Sequence, residues 1–249
     1  ALEGVDSVIH LVSTTLPKGS NEDPIYDVQS NLVGTLQILD GMVRKRVSQV
    51  VFISSGGTVY GVPRALPIDE EHPTDPQVSY GITKLAIEKY ILLYQRLHGI
   101  RARILRVANP YGERQRVETA QGAVAAFLHR ALRGQSVEIW GDGSVTRDYL
   151  YVSDVADAFL AALRYGGEHT VFNIGSGRGS TLNQLLEALE QALGQRIDRR
   201  YLPGRPFDVP VNVLDVSRAR KELGWSPRVP LEEGLRRTVA WARGQLEAS

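Results

Sequence analysis

The sequence predicts an α/β protein built on a parallel sheet, followed by a smaller α/β region. Two observations point to this. Short apolar runs at 8–12, 50–54 and 103–107 alternate with longer amphipathic patterns at 31–45 and 80–98, and such alternation builds βαβ units. After Gly112 the pattern shifts to shorter helices, turns and small strands, with helices expected over 120–133, 152–165, 182–193 and 231–247.

The first strand, Ser7-Val8-Ile9-His10-Leu11-Val12, is apolar enough for burial, and His10 within it reads as a packed residue. The second, Val50-Val51-Phe52-Ile53-Ser54, runs into a small, hydroxyl-rich turn, Ser55-Gly56-Gly57-Thr58-Val59-Tyr60-Gly61. The helix over 80–98 carries Ile82, Leu85, Ala86, Leu93 and Leu97 on its expected inner face, and Gly99 is its stop. The third strand ends in Ala108-Asn109-Pro110-Tyr111-Gly112. Ligands of open parallel sheets lie outside the carboxyl ends of the strands, so these loops and the start of the 80–98 helix converge on one crevice. Gly175 and Gly177 follow a further strand, but Ser180 stands where a dinucleotide fingerprint needs its third glycine. That stretch is therefore a turn opening the 182–193 helix, with Ser180 or Thr181 as the cap.

Tyr80 and Lys84 lie four residues apart on one helix and share a face. A phenol ordinarily titrates near pH 10, and an adjacent ammonium favours the phenolate, so the pair suits proton transfer.

Composition excludes several classes. A chain of 249 residues with 43% hydrophobic and 23% charged residues buries a substantial core. The net charge of +1, with scattered basic residues, argues against a nucleic-acid partner. No apolar run approaches the roughly 20 residues that span a bilayer. The absence of cysteine excludes disulfides and thiolate metal sites, and no metal is expected.

Further motifs complete a pattern: Gly141-Asp142-Gly143-Ser144-Val145-Thr146-Arg147-Asp148-Tyr149, Val152-Ser153-Asp154-Val155-Ala156-Asp157, Arg205-Pro206-Phe207-Asp208 and Lys221-Glu222-Leu223-Gly224-Trp225. In this order, and with the segments above, the chain resembles the extended short-chain dehydrogenases/reductases of the nucleotide-sugar epimerase/dehydratase group, closest in pattern to UDP-glucose 4-epimerases. The resemblance implies a Rossmann-type sheet over 1–112, with 152–174 partly packed back on it, and a nucleotide-sugar-binding region over 113–249. It also implies that a first βαβ unit of about 60 to 70 residues, with the glycine-rich turn, is missing before Ala1, and that residues 1–249 alone bind NAD weakly.

The same resemblance implies the roles. Tyr80 is the base that takes the sugar 4-hydroxyl proton; Lys84 anchors the nicotinamide ribose and lowers the Tyr80 pKa. The family's usual third hydroxyl falls at Gly56, so it passes to Ser55 or Thr58, with Thr58 favoured because it follows the same turn. Val12, Ser13, Thr14 and Ser54 line the cofactor, and Asn31 supports the tyrosine region. Asn109, Arg147, Arg205 and Asp208 hold the diphosphate and ribose, Trp140 packs the base, and Asn212 limits the space around C2. Gly57-Thr58 leaves no acid where dehydratases carry one, which favours 4-epimerisation, with 4-keto reduction or a non-catalytic nucleotide-sugar-binding fragment as alternatives. A cytoplasmic homodimer without membrane contact is the implied setting.

Overall fold

The structure, a computed structural model, describes residues 2–115, 122–204 and 209–247. The chain begins with β1 (Ser7–His10), α1 (Pro17–Glu22), α2 (Pro24–Asp27), a π-helical segment (Val28–Val33) and α3 (Gly34–Lys45). Next come β2 (Gln49–Ser55), α4 (Ser79–His98), β3 (Arg101–Val107), β4 (Asn109–Tyr111), α5 (Ala123–Leu132) and β5 (Val137–Trp140). β6 (Thr146–Tyr151), α6 (Val152–Arg164), β7 (Val171–Ile174), β8 (Gly179–Thr181) and α7 (Leu182–Leu193) follow. β9 (Arg199–Leu202), β10 (Val211–Asn212), α8 (Ser217–Leu223) and α9 (Leu231–Glu247) complete it.

The main sheet has the order β1-β2-β3-β7 and is parallel throughout. β2 and β3 are buried on both faces, whereas β1, expected to be buried, leaves Ile9 41% exposed. Val50, Phe52 and Ile104 pack with Leu39, Met42, Ile87 and Ile91 of α3 and α4. The alternate residues Val51 and Leu105, with Phe172 of β7, pack on the other side with Ala158 and Ala162 of α6. A second apolar cluster joins β5 and β6 to α5, α7 and α9 through Val124, Leu128, Ile139, Leu185, Leu189 and Leu235. There β6 lies between β10 and β4 and also pairs antiparallel with β8, while β5 pairs with β9. Gly99 ends α4 in the left-handed region at φ 68°, a conformation glycine adopts at no steric cost. Thr181, rather than Ser180, caps α7, in a reciprocal capping box with Gln184.

The inward face of α4 differs from the expected one. Ile82 and Leu97 are 56% and 66% exposed, while Thr83, Lys84, Ile87, Glu88 and Ile91 are buried. Buried polar groups are tolerated when paired. Lys84 donates to the Ile53 carbonyl at 3.0 Å, and Glu88 pairs with Arg106 at 2.7 Å. Hydropathy periodicity contains no such partners and so misses these buried polar positions, although Leu85, Ala86 and Leu93 of the expected face are half-buried and Leu85 packs on the core. Among the described residues no helix is long and apolar enough to cross a membrane, and no group of three His, Cys, Asp or Glu residues can hold a metal ion.

Candidate active site

The parallel register aligns the carboxyl ends of β1, β2 and β3, and the start of α4 lies against their loops. A helix leaves its first N–H groups without internal partners, and Val78 has no side-chain acceptor to offer them. Two residues of α1 supply them instead: Asn21 Oδ1 accepts from the Ser79 N–H and Ser20 Oγ from the Tyr80 N–H, each at 2.9 Å. Gly81 then allows α4 to meet the loop after β2. A Cβ at this position would lie 2.7 Å from the Thr58 carbonyl oxygen and 2.9 Å from Pro76 Cβ. Gly81→Ala is therefore expected to push α4 off that loop and cost about 1–3 kcal/mol in urea unfolding, with a larger proportional loss of any Tyr80-dependent activity.

Tyr80 is half-buried and Lys84 is 3% exposed. The Lys84 ammonium sits 5.6 Å from the Tyr80 ring centroid and 4.8 Å from that of Phe52. Burial pushes the Tyr80 phenol up to about 12; a Ser13 hydrogen bond opposes this and the charge of Asp27 adds to it. The phenol is therefore raised rather than lowered as expected, because burial is the largest influence on it. Burial brings Lys84 itself down to about 8, against Asp27 and Glu88, which favour its charge. His10 is packed as expected, with its Nε2 2.8 Å from Thr35 Oγ1 and its pKa lowered to about 4 by burial and then by Lys84.

Asp27 is a site residue that the sequence reading missed. It is fully buried, and its carboxylate accepts from Thr15 Oγ1, Asn31 Nδ2 at 3.0 Å, Ser79 Oγ at 3.0 Å and Thr83 Oγ1 at 2.7 Å. Asn31, buried in the π-helical segment, also accepts from the Thr14 N–H at 2.9 Å. The loop after β1 is thereby tied to α4. Within that loop Val12 is 65% exposed, and Ser13 Oγ donates to the Thr15 carbonyl at 3.3 Å. The i,i+4 spacing of Asp27 and Asn31 was the only available signal.

At the end of β2, Ser54 turns into the core and donates to the Glu88 carboxylate, while Ser55 is half-buried. A side chain at Gly56 would meet Leu214 Cδ1 at 2.5 Å and the Arg106 carbonyl at 3.0 Å, so packing forbids a hydroxyl there. Thr58 Oγ1 is buried and has no partner among the described residues. Asn212, 1% exposed, donates from Nδ2 to the Gly56 carbonyl at 3.1 Å and leaves Oδ1 without a partner among the described residues.

A cleft of about 410 Å³ is lined by Asn109, Arg147, Trp140, Tyr149 and Phe127, among others. Asn109 donates to the Asp148 carbonyl at 3.1 Å, and Arg147 Nη1 to the Val209 carbonyl at 2.7 Å. Trp140 is 39% exposed. The structure thus gathers Asn109, Arg147 and Trp140 on one cleft, whereas Arg205 and Asp208 lie outside the described residues.

A putative UDP-glucose 4-epimerase of Methanocaldococcus jannaschii is 41% identical over 239 residues, which are 96% of this chain and 77% of that protein. The crystal structure of the Thermotoga maritima UDP-glucose 4-epimerase with UDP-glucose superposes with a TM-score of 0.94 at 40% identity, covering 97% of this chain and 78% of that one. The Thermus thermophilus UDP-glucose 4-epimerase in complex with NAD superposes with a TM-score of 0.90 at 35% identity, covering 96% of this chain and 78% of that one. Residues 1–175 match the family pattern, a span that includes the main sheet, the loops at its carboxyl edge and the Tyr80 helix. The chain belongs to the NAD dependent epimerase/dehydratase family.

Proposed function

We propose that this protein is an NAD-dependent 4-epimerase of nucleotide-diphosphate sugars, acting on UDP-glucose and UDP-galactose or their N-acetylated equivalents through a 4-keto intermediate. The observation that carries this reading is the half-buried Tyr80 phenol beside the Lys84 ammonium, at the carboxyl edge of the sheet. The neighbouring residues fit the nicotinamide end of the cofactor: Lys84 spends one ammonium proton on the Ile53 carbonyl, and Thr58 keeps a buried hydroxyl with no partner among the described residues. When bound, NAD accepts a hydride from the sugar and later returns it.

Tyr80 takes the proton of the sugar 4-hydroxyl as the C4–H bond breaks, which leaves a 4-keto sugar. It returns that proton once the sugar has presented its other face, so the configuration inverts with no net oxidation. Lys84 holds the nicotinamide ribose, and Thr58 or Ser55 hydrogen-bonds the reacting oxygen. Val12, Ser13 and Thr14 border the cofactor. Arg147 and Arg205 bind the diphosphate as guanidinium forks, Asp208 accepts from the ribose, Asn109 reaches the sugar side and Trp140 packs the base. Residues 1–112 form the cofactor region and 113–249 the sugar region. The unpartnered Oδ1 of Asn212 suits the N–H of a 2-acetamido group; turnover of UDP-galactose with none of UDP-N-acetylglucosamine would refute that fit.

Proton NMR of UDP-galactose incubated with the protein and added NAD tests the main reading. Appearance of UDP-glucose without net cofactor change supports it, whereas consumption of NADPH on a 4-keto sugar would assign reduction instead. Because the Lys84 ammonium titrates at about 8, its charge is present below that pH and lost above it. The NAD dissociation constant, followed by fluorescence, is expected to rise as pH climbs through 8, and Lys84→Met is expected to abolish that rise. The exposed Ile82, Tyr90 and Leu97 of α4 support a homodimer closed through this helix. Sedimentation should show a dimer that Ile82→Glu dissociates.

A further inference from the structure

Asp27 belongs to no part of the proposed reaction, yet its carboxylate joins three separate segments at the site. Its two oxygens accept four hydrogen bonds, about as many as the lone pairs of an ionised carboxylate can hold. The donors come from three separate places: Thr15 after β1, Asn31 in the π-helical segment, and Ser79 and Thr83 on α4. Ser79 and Thr83 each precede one member of the Tyr80–Lys84 pair by a single residue. All four donors are neutral and the carboxylate has no salt-bridge partner among the described residues; burial raises its pKa, but the hydrogen bonds prevail and lower it.

We propose that Asp27 is the positioning residue of the Tyr80–Lys84 pair, clamping α4 to the loop after β1 and holding a fixed negative charge behind both side chains. The proposal rests on the reading of Tyr80 as the proton-transfer group. A carboxylate saturated by hydroxyl and amide donors from both sides ties α4 to the loop after β1, so the pair keeps one register with the cofactor loop. Its charge acts on both members with the same sign: it disfavours the Tyr80 phenolate and favours the Lys84 ammonium. The other charged or titratable groups facing the pair are Glu88 on α4, which is paired with Arg106 from β3, and His10 on β1. Among the described residues, Asp27 is the acid of this group with no ion-pair partner.

The test uses Asp27→Asn, which keeps the shape and removes the charge. Tyr80 is titrated in the unliganded protein by ultraviolet difference absorbance, with Tyr80→Phe and Asp27→Asn/Tyr80→Phe subtracted to isolate its signal. The titration is expected to move to lower pH by about one unit, the size of one buried charge at intermediate dielectric, while the melting curve and UDP binding persist. An unmoved Tyr80 titration in a folded Asp27→Asn protein overturns the proposal. If that variant does not fold, Ser79→Ala/Thr83→Val removes both α4 donors and keeps the charge. Turnover at least tenfold lower with intact UDP binding then supports the clamp, and unchanged turnover refutes it. The phenol titration does not depend on epimerisation, so failure of the proposed function is read separately from failure of this inference.

Discussion

Tyr80→Phe is expected to reduce epimerisation by about 10²–10⁴-fold, the usual contribution of a positioned proton-transfer group, with melting temperature and UDP affinity nearly unchanged. The substitution removes one oxygen and leaves the ring that packs near the Lys84 ammonium. With the phenol held up to about 12 by burial, little of it is ionised at neutral pH. Any group that stabilises the phenolate therefore raises the rate, and wild-type turnover is expected to climb with pH until Lys84 loses its charge near 8. Steady-state rates across pH for both proteins, with melting curves in parallel, test this. Retention of more than about a tenth of the wild-type rate would remove Tyr80 from the proton-transfer role.

Glu88→Ala is expected to be the largest single loss of stability, about 3–5 kcal/mol, because it strands a buried guanidinium. Arg106 and Glu88 side chains are 6% and 1% exposed, and the pair is bidentate, with Nε to Oε1 at 3.1 Å and Nη2 to Oε2 at 2.7 Å. Ser54 donates to the same carboxylate, and Arg106 also donates to Tyr60, whose hydroxyl bonds Asn173 on β7. Removing Glu88 therefore unpairs groups on β2 and β3 together. Urea unfolding of wild type and variant measures the difference. A loss under about 1 kcal/mol, typical of an exposed pair, would mean that the guanidinium reaches water or another acceptor.

Much of the framework was legible because it is local. The strands at β2 and β3, the helix after residue 79, the Gly99 stop and the cap before α7 follow from runs of hydropathy and from turn residues a few positions apart. The carboxyl-edge loops followed from strand alternation and the parallel-sheet rule. The burial of Ser54, the exclusion of a side chain at Gly56 and the inward face of α4 were not legible. Each depends on a distant partner: Glu88 for Ser54, Leu214 for Gly56, and Arg106 and the Ile53 carbonyl for α4.

The order of residues alone specified the strands β2 and β3, the longer helices and the Tyr80–Lys84 pair on one helical face, since these require only the periods of strand and helix. Tertiary structure decided how that pair is held and charged. Asp27 and Ser79 are 52 positions apart and Asn212 and Gly56 are 156 apart, so no local pattern joins them. The pKa values also belong to the fold: desolvation exists only once the sheet and helices have closed around Tyr80 and Lys84, and it is the largest influence on both.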